Sequence, residues 1–172
     1  MPQRNKDIFA DLVDCIVSQQ LSVKAAATIY ARVKKLCGRI TPQKILRAES
    51  SALRACGISN AKVTYVKDLA LKSTDGTLQL NKLDAMSDEE VVSHLVAVKG
   101  IGRWSAEMIL MFSLSRPDVF PVDDVGIQNA MIKKYGLKKG KRLKAQMTKI
   151  AESWRPHRTL ECKKLWKSLD NE

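Results

Sequence analysis

The stretch from Val91 to Ala130, VVSHLVAVKGIGRWSAEMILMFSLSRPDVFPVDDVGIQNA, constrains this chain more than any other part of it. Val91, Leu95 and Val98 recur at helical spacing and run into a tight Lys99-Gly100-Ile101-Gly102 turn. A second helical pattern follows through Trp104, Met108, Met111 and Phe112. Then comes a proline-bounded loop with two adjacent carboxylates, Asp123 and Asp124, at the start of a further apolar helix. Glycines let a backbone pass close to another surface, and the helix start after them aims free N–H groups at an anion. Such an arrangement can grip a phosphate and present an acid beside it.

The rest of the chain also reads as helix. Asp7 to Ser18 is amphipathic, and Ser22 caps a helix to about Cys37, where Gly38 stops it. Thr41-Pro42 opens a short helix, another covers Ser51 to Cys56, and Ser59 caps one to about Ser73. Ser87-Asp88-Glu89-Glu90 has the form of a capping box for the helix that feeds the glycine turn. Helices over Asp124 to Lys134, Arg142 to Ser153 and Arg158 to Ser168 complete the chain. No segment alternates as a strand does, so the expected class is all-α.

Charge narrows the function. The 172 residues carry a formal net charge of +12 and a pI near 9.7, an excess that favours a polyanion through phosphate neutralisation and counterion release. A basic ribosomal or architectural protein would explain the charge equally well, but not the placement of Trp104 and Asp124. No apolar run approaches the roughly 20 residues that span a bilayer. The N-terminal MPQRNKDIF lacks the apolar core of a secretion signal. The expectation is therefore an intracellular protein, in a prokaryotic cytoplasm or a nucleus, with no membrane partner. The four cysteines, Cys15, Cys37, Cys56 and Cys162, are too far apart for a zinc or iron–sulfur cluster and read as buried thiols.

Three ordered motifs carry a resemblance. GIGRWSAEMIL followed by DVFPVDDVGIQ, with LVDCIVSQQLSVKAAATIYARV upstream and WRPHRTLECKKLW downstream, resembles the helix–hairpin–helix DNA glycosylases, in their alkylated-base branch of the 3-methyladenine DNA glycosylase II type. The likeness covers nearly the whole chain. It implies two helical lobes forming one unit, one of residues 28–114 and the other of residues 1–27 plus 115–172, with the active-site cleft between them. It implies hydrolysis of the N-glycosidic bond of alkylated purines, 3-methyladenine and also 7-methylguanine, in double-stranded DNA. The enzyme would flip the base out, act as a monomer and need no cofactor. A catalytically degenerate DNA-binding paralogue and a glycosylase for deaminated bases are the alternatives.

The resemblance also assigns residues. Gly100 and Gly102, with Lys99, Arg103 and Ser105, would hold DNA phosphate, although two glycines also simply connect helices. The carbonyls of Val96, Val98 and Ile101 match positions that hold a structural Na⁺ or K⁺ in relatives. Asp124 aligns with the catalytic aspartate; an offset of one selects Asp123, and either could merely cap its helix. A charged carboxylate suits the reaction, because breaking the base–sugar bond builds positive charge on the deoxyribose. Trp104 stands where strand-cleaving relatives carry a Schiff-base lysine, which implies a monofunctional enzyme without lyase activity. Trp104 and Trp166 match positions of the base pocket, where aromatic faces attract the cationic ring of an alkylated purine. Gln19, Gln20 and Leu21 match the loop that meets the opened duplex, with Gln20 or Leu21 as the wedge. His157 departs from the aromatic residue usual at that position.

Overall fold

The computed structural model describes residues 7–169. Residues 1–6, most of the segment read against a secretion signal, lie outside the described residues. Ten α-helices follow one another: α1 (Ile8–Ser18), α2 (Val23–Cys37), α3 (Pro42–Arg47), α4 (Ser50–Ala55), α5 (Asn60–Thr74), α6 (Asp88–Val96), α7 (Arg103–Met108), α8 (Val125–Tyr135), α9 (Leu143–Ala151) and α10 (Arg158–Leu169). No strand occurs among the described residues, and no helix there is long and apolar enough to cross a membrane.

Helix starts follow the capping chemistry of the sequence. Asp7, Ser22, Thr41, Ser59 and Asp124 each accept a first-turn N–H, and Ser87 with Glu90 completes a reciprocal capping box. Starts without a side-chain cap include those of α4, α7 and α9, and the 3₁₀ helix at Leu80–Ala85; a π-helical turn at Ile109–Ser113 continues α7. The wider π turn shifts the phase of the helix. Phe112, which the helical periodicity of α7 groups with its apolar residues, is instead 53 % exposed.

The chain divides after Ile109 into two compact units. In the first, α5 is the hub: α1, α3 and α4 pack on it, α2 lies on α1, and α6 packs on α7. Leu12, Ile16, Ile45, Leu53, Leu69, Leu83 and Leu95 form its fully buried core. In the second unit α8 packs on α10, and Leu110, Met111, Ile127, Met131 and Met147 are fully buried. The division differs from the expected lobes at α1. Its apolar side (Phe9, Leu12, Val13, Ile16, Val17) is buried, and the helix packs on α2 and α5 in the first unit. Cys37, Cys56 and Cys162 are buried and in no disulfide, and burial pushes the thiols of Cys15, Cys37 and Cys56 up.

Candidate functional site

The glycine turn is built from two tight hydrogen bonds, Val98 N–H to the Leu95 carbonyl and Ile101 N–H to the Val98 carbonyl, both 3.1 Å. Its two glycines serve different ends. Gly100 has φ +81°, and a Cβ there would lie 2.2 Å from Cδ2 of Tyr65, so the fold itself demands glycine. Gly102 caps α7 at φ −94°, and a Cβ there would meet nothing within 4 Å. No packing requires that glycine; what its missing side chain leaves open is the approach to the first N–H groups of α7.

The side chains expected around this turn divide. Lys99 is exposed, and its own amide donates to Oδ2 of Asp68 at 2.9 Å. Arg103 donates to Glu89 at 3.1 Å and to the buried Glu107 at 3.2 Å, so its charge is shared with carboxylates. Ser105, the third position of α7, turns its side chain inward. It is 4 % exposed, and it holds the Cys15 thiol down against the upward push of burial. Only its backbone amide remains for an anion. Val96, Val98 and Ile101 offer backbone carbonyls, hard oxygens of the kind an alkali cation takes; that of Val98 already accepts the Ile101 amide.

The structure brings the Gln19-Gln20-Leu21 turn to the hairpin. Nε2 of Gln19 donates to the Gly100 carbonyl at 2.8 Å. Gln20 sits at φ +57°, rare for a residue with a Cβ, and Leu21 is 39 % exposed. Lys62 of α5 holds the turn from behind, donating to the carbonyls of Val17 at 2.7 Å and Gln19 at 2.6 Å.

In the second unit the two carboxylates separate cleanly. Asp123 is exposed and paired with Lys144. Asp124 is 9 % exposed, and its Oδ1 accepts the Ile127 amide at 2.7 Å and the indole N–H of Trp166 at 2.8 Å. Sequence reading missed Gly126. A Cβ there would lie 3.1 Å from both Asp124 Oδ1 and Trp166 Cδ1, so this glycine lets α8 seat against the indole. The GI that follows DDV is the available signal. The ring of Phe112 lies 5.9 Å from that of Trp166, centroid to centroid, with the Lys163 ammonium 5.0 Å from the Phe112 centroid.

The loop that delivers Asp124 is clamped. Arg158 donates to Asp118 Oδ1 and to the Asp118 carbonyl, both at 2.7 Å. Thr159 donates through its hydroxyl to the Arg116 carbonyl at 2.7 Å and accepts the Val119 amide at 3.0 Å. Burial pushes the Asp118 carboxyl up, but Arg158 outweighs this and holds it below the usual carboxylate range. Gln128 closes the turn on the Val122 carbonyl at 2.9 Å. Arg158 thus serves the backbone of this loop. His157 is exposed at the foot of α10.

The remaining aromatics divide between packing and surface. Trp104, at the start of α7, is 41 % exposed in the first unit. Trp154 packs edge-on to Phe120 at 5.8 Å. Tyr30 donates to the Ala10 carbonyl at 3.2 Å, and burial together with Asp14 pushes its phenol up to about 12.

The family HhH-GPD superfamily base excision DNA repair protein matches residues 13–156. The chain is 35 % identical over 167 residues to DNA-3-methyladenine glycosylase 1 of Schizosaccharomyces pombe, covering 95 % of this chain and 73 % of that protein. It is 31 % identical over 171 residues to the putative DNA-3-methyladenine glycosylase YfjP of Bacillus subtilis, covering 95 % of this chain but 59 % of the relative. Its fold superposes on the S. pombe 3-methyladenine DNA glycosylase in complex with abasic DNA with a TM-score of 0.85, at 35 % identity, over 96 % of this chain and 82 % of that one. A glycine hairpin on one helical unit and a buried aspartate on another are thus found in a chain that belongs to the HhH-GPD superfamily of base excision DNA repair proteins.

Proposed function

We propose that this chain excises alkylated purines, 3-methyladenine foremost, from double-stranded DNA by hydrolysing the N-glycosidic bond. The observation that carries the reading is the setting of Asp124: one carboxylate oxygen fixed by a backbone amide at 2.7 Å and an indole N–H at 2.8 Å, at the buried start of α8. A carboxylate so fixed does not reorganise when positive charge develops on the deoxyribose, and fixed charge of this kind is the strongest means of stabilising such a transition state. In this reading it also orients or deprotonates the attacking water.

The other roles follow from chemistry. The α7 amides behind Gly102, with Lys99, hold backbone phosphate without reading sequence. Gln20 or Leu21 fills the gap left by the flipped nucleotide. Trp166 with Phe112 presents aromatic faces to a base whose alkylation makes it cationic, each contact favouring the charged ring by about 0.5–2 kcal/mol, and Trp104 offers a face of the same kind in the first unit. Trp104 has no amine with which to form an imine, so water is the nucleophile and the strand is left intact. The carbonyls of Val96, Val98 and Ile101 would hold Na⁺ or K⁺, whose charge would draw phosphate to the turn. No other cofactor enters this reading, and the chain acts as a monomer.

The test is release of free base from methylated duplex DNA by the purified chain. Release of 3-methyladenine, leaving an abasic site, is expected. Abasic-DNA binding with no release would assign the chain to a binding role, and release of hypoxanthine or uracil alone to deaminated bases.

A further inference from the structure

The sequence reading gives α5 no role beyond packing. In the structure Lys62, Tyr65, Asp68 and Lys72 recur on it at helical spacing and form one half-buried stripe beside the buried Val63, Val66, Leu69 and Ala70. Every member of the stripe meets one of the two loops assigned above to DNA. Lys62 donates to the Val17 and Gln19 carbonyls. The Tyr65 ring fills the space under Gly100. Asp68 accepts the Lys99 amide at 2.9 Å and the Lys72 ammonium at 2.7 Å, and Lys72 also donates to the Ala97 carbonyl at 2.8 Å. Gln19 closes the circuit by donating to the Gly100 carbonyl.

We propose that this face of α5 sets the 19–21 turn and the hairpin in register as a single DNA-facing edge, with Lys62 and Asp68 as the positioning residues at its two ends. The proposal rests on the reading that both loops meet DNA. Two features separate it from ordinary packing. First, α1 has no basic residue in its own last turn, and the cation that its C-terminal carbonyls favour arrives from another helix, at the cost of burial that pushes the Lys62 ammonium down. Second, Gln20 keeps a left-handed backbone that glycine would adopt without strain. Such a conformation persists only where the surroundings over-determine it, and here the residue before it is tied on both its carbonyl and its side chain.

The test compares K62M, which keeps the apolar stem and loses the donors, with K62R and D68N. Amide hydrogen exchange on the DNA-free protein reads the coupling directly. K62M is expected to raise exchange at residues 19–22 and, through Gln19, at residues 98–102, with protection in the core unchanged. D68N is expected to do the same in the opposite direction, starting at the hairpin. On methylated duplex, K62M is expected to slow single-turnover excision about tenfold while its affinity for undamaged duplex stays within about threefold, since a misplaced wedge harms flipping more than phosphate contact. K62R is expected to recover most of the rate. The proposal is overturned if exchange at one loop is unmoved by the variant at the other end. It is overturned equally if K62M lowers excision and undamaged-duplex affinity in the same proportion, the mark of a lost phosphate contact. Should the parent chain release no base, the reading of the site fails, and the exchange arm still decides the coupling.

Discussion

Two regions considered for function, one in each unit, are made of different material. Around Gly102 the groups on offer are backbone amides, presented by a turn and by the start of α7. Around Asp124 they are side chains, a carboxylate and an indole from two packed helices, 2.8 Å apart. A backbone site tolerates many neighbouring side chains but depends on what the turn leaves open. A side-chain site depends on each partner and on the space between the helices that carry them. Glycine serves both, for opposite reasons: Gly102 keeps a surface clear, whereas Gly126 keeps an interior contact close.

The largest effect on stability is expected at Gly100. A Cβ there meets the Tyr65 ring and sits on a left-handed backbone, so Gly100→Ala is expected to destabilise the protein by about 3 kcal/mol, adding overpacking to backbone strain. Chemical denaturation of variant and parent checks this, and an unchanged midpoint would mean that the ring yields.

Next in size are the side-chain contacts of Asp124. Trp166→Phe keeps most of the ring and removes the N–H, and Gly126→Ala pushes on ring and carboxylate together. Each is expected to slow single-turnover excision about tenfold or more while abasic-duplex affinity holds, because the loss falls on transition-state charge. Gly102→Ala should show the reverse. Its Cβ enters open space, so the denaturation midpoint should stay put, while affinity falls several-fold for all duplex sequences alike, measured by fluorescence anisotropy.

The smallest effect concerns acid. Burial pushes the Asp68 carboxyl up, but the hydrogen bonds from Lys72 and the Lys99 amide outweigh it and hold the group below the usual carboxylate range. A carboxylate lowered in the folded state adds stability that is complete above about pH 4 and is lost as pH falls through the folded value. Denaturation series between neutral pH and pH 3 should therefore show a shallower acid loss in Asp68→Asn than in the parent.

Much of this was legible in the sequence because capping and turn chemistry are local. Ser22, Ser59 and Ser87 announce their helices, and Asp124 is one residue from a position at which it would have capped nothing. What escaped is non-local. The demand of Tyr65 on Gly100 joins α5 to the hairpin turn, and the fit of Gly126 to Trp166 joins α8 to α10. Ser105 reads as a surface residue beside a phosphate turn, yet faces the Cys15 thiol. Phe112 follows the helical period of Trp104 and, like it, is exposed, and no residue type announces the π turn on which it sits. The lobe division went the same way, because the partner of α1's apolar side is fixed by packing and not by its own pattern.

The claim on which the whole account turns is that Asp124, and not its neighbour, carries the chemistry. Asp124→Asn and Asp123→Asn should be measured side by side for single-turnover base release from methylated duplex and for abasic-DNA affinity. Asp124→Asn is expected to lower release by about a hundredfold or more with affinity retained, and Asp123→Asn, which loses only an exposed pair with Lys144, to stay within about twofold of the parent. Loss of release in Asp123→Asn with normal release in Asp124→Asn would contradict the account.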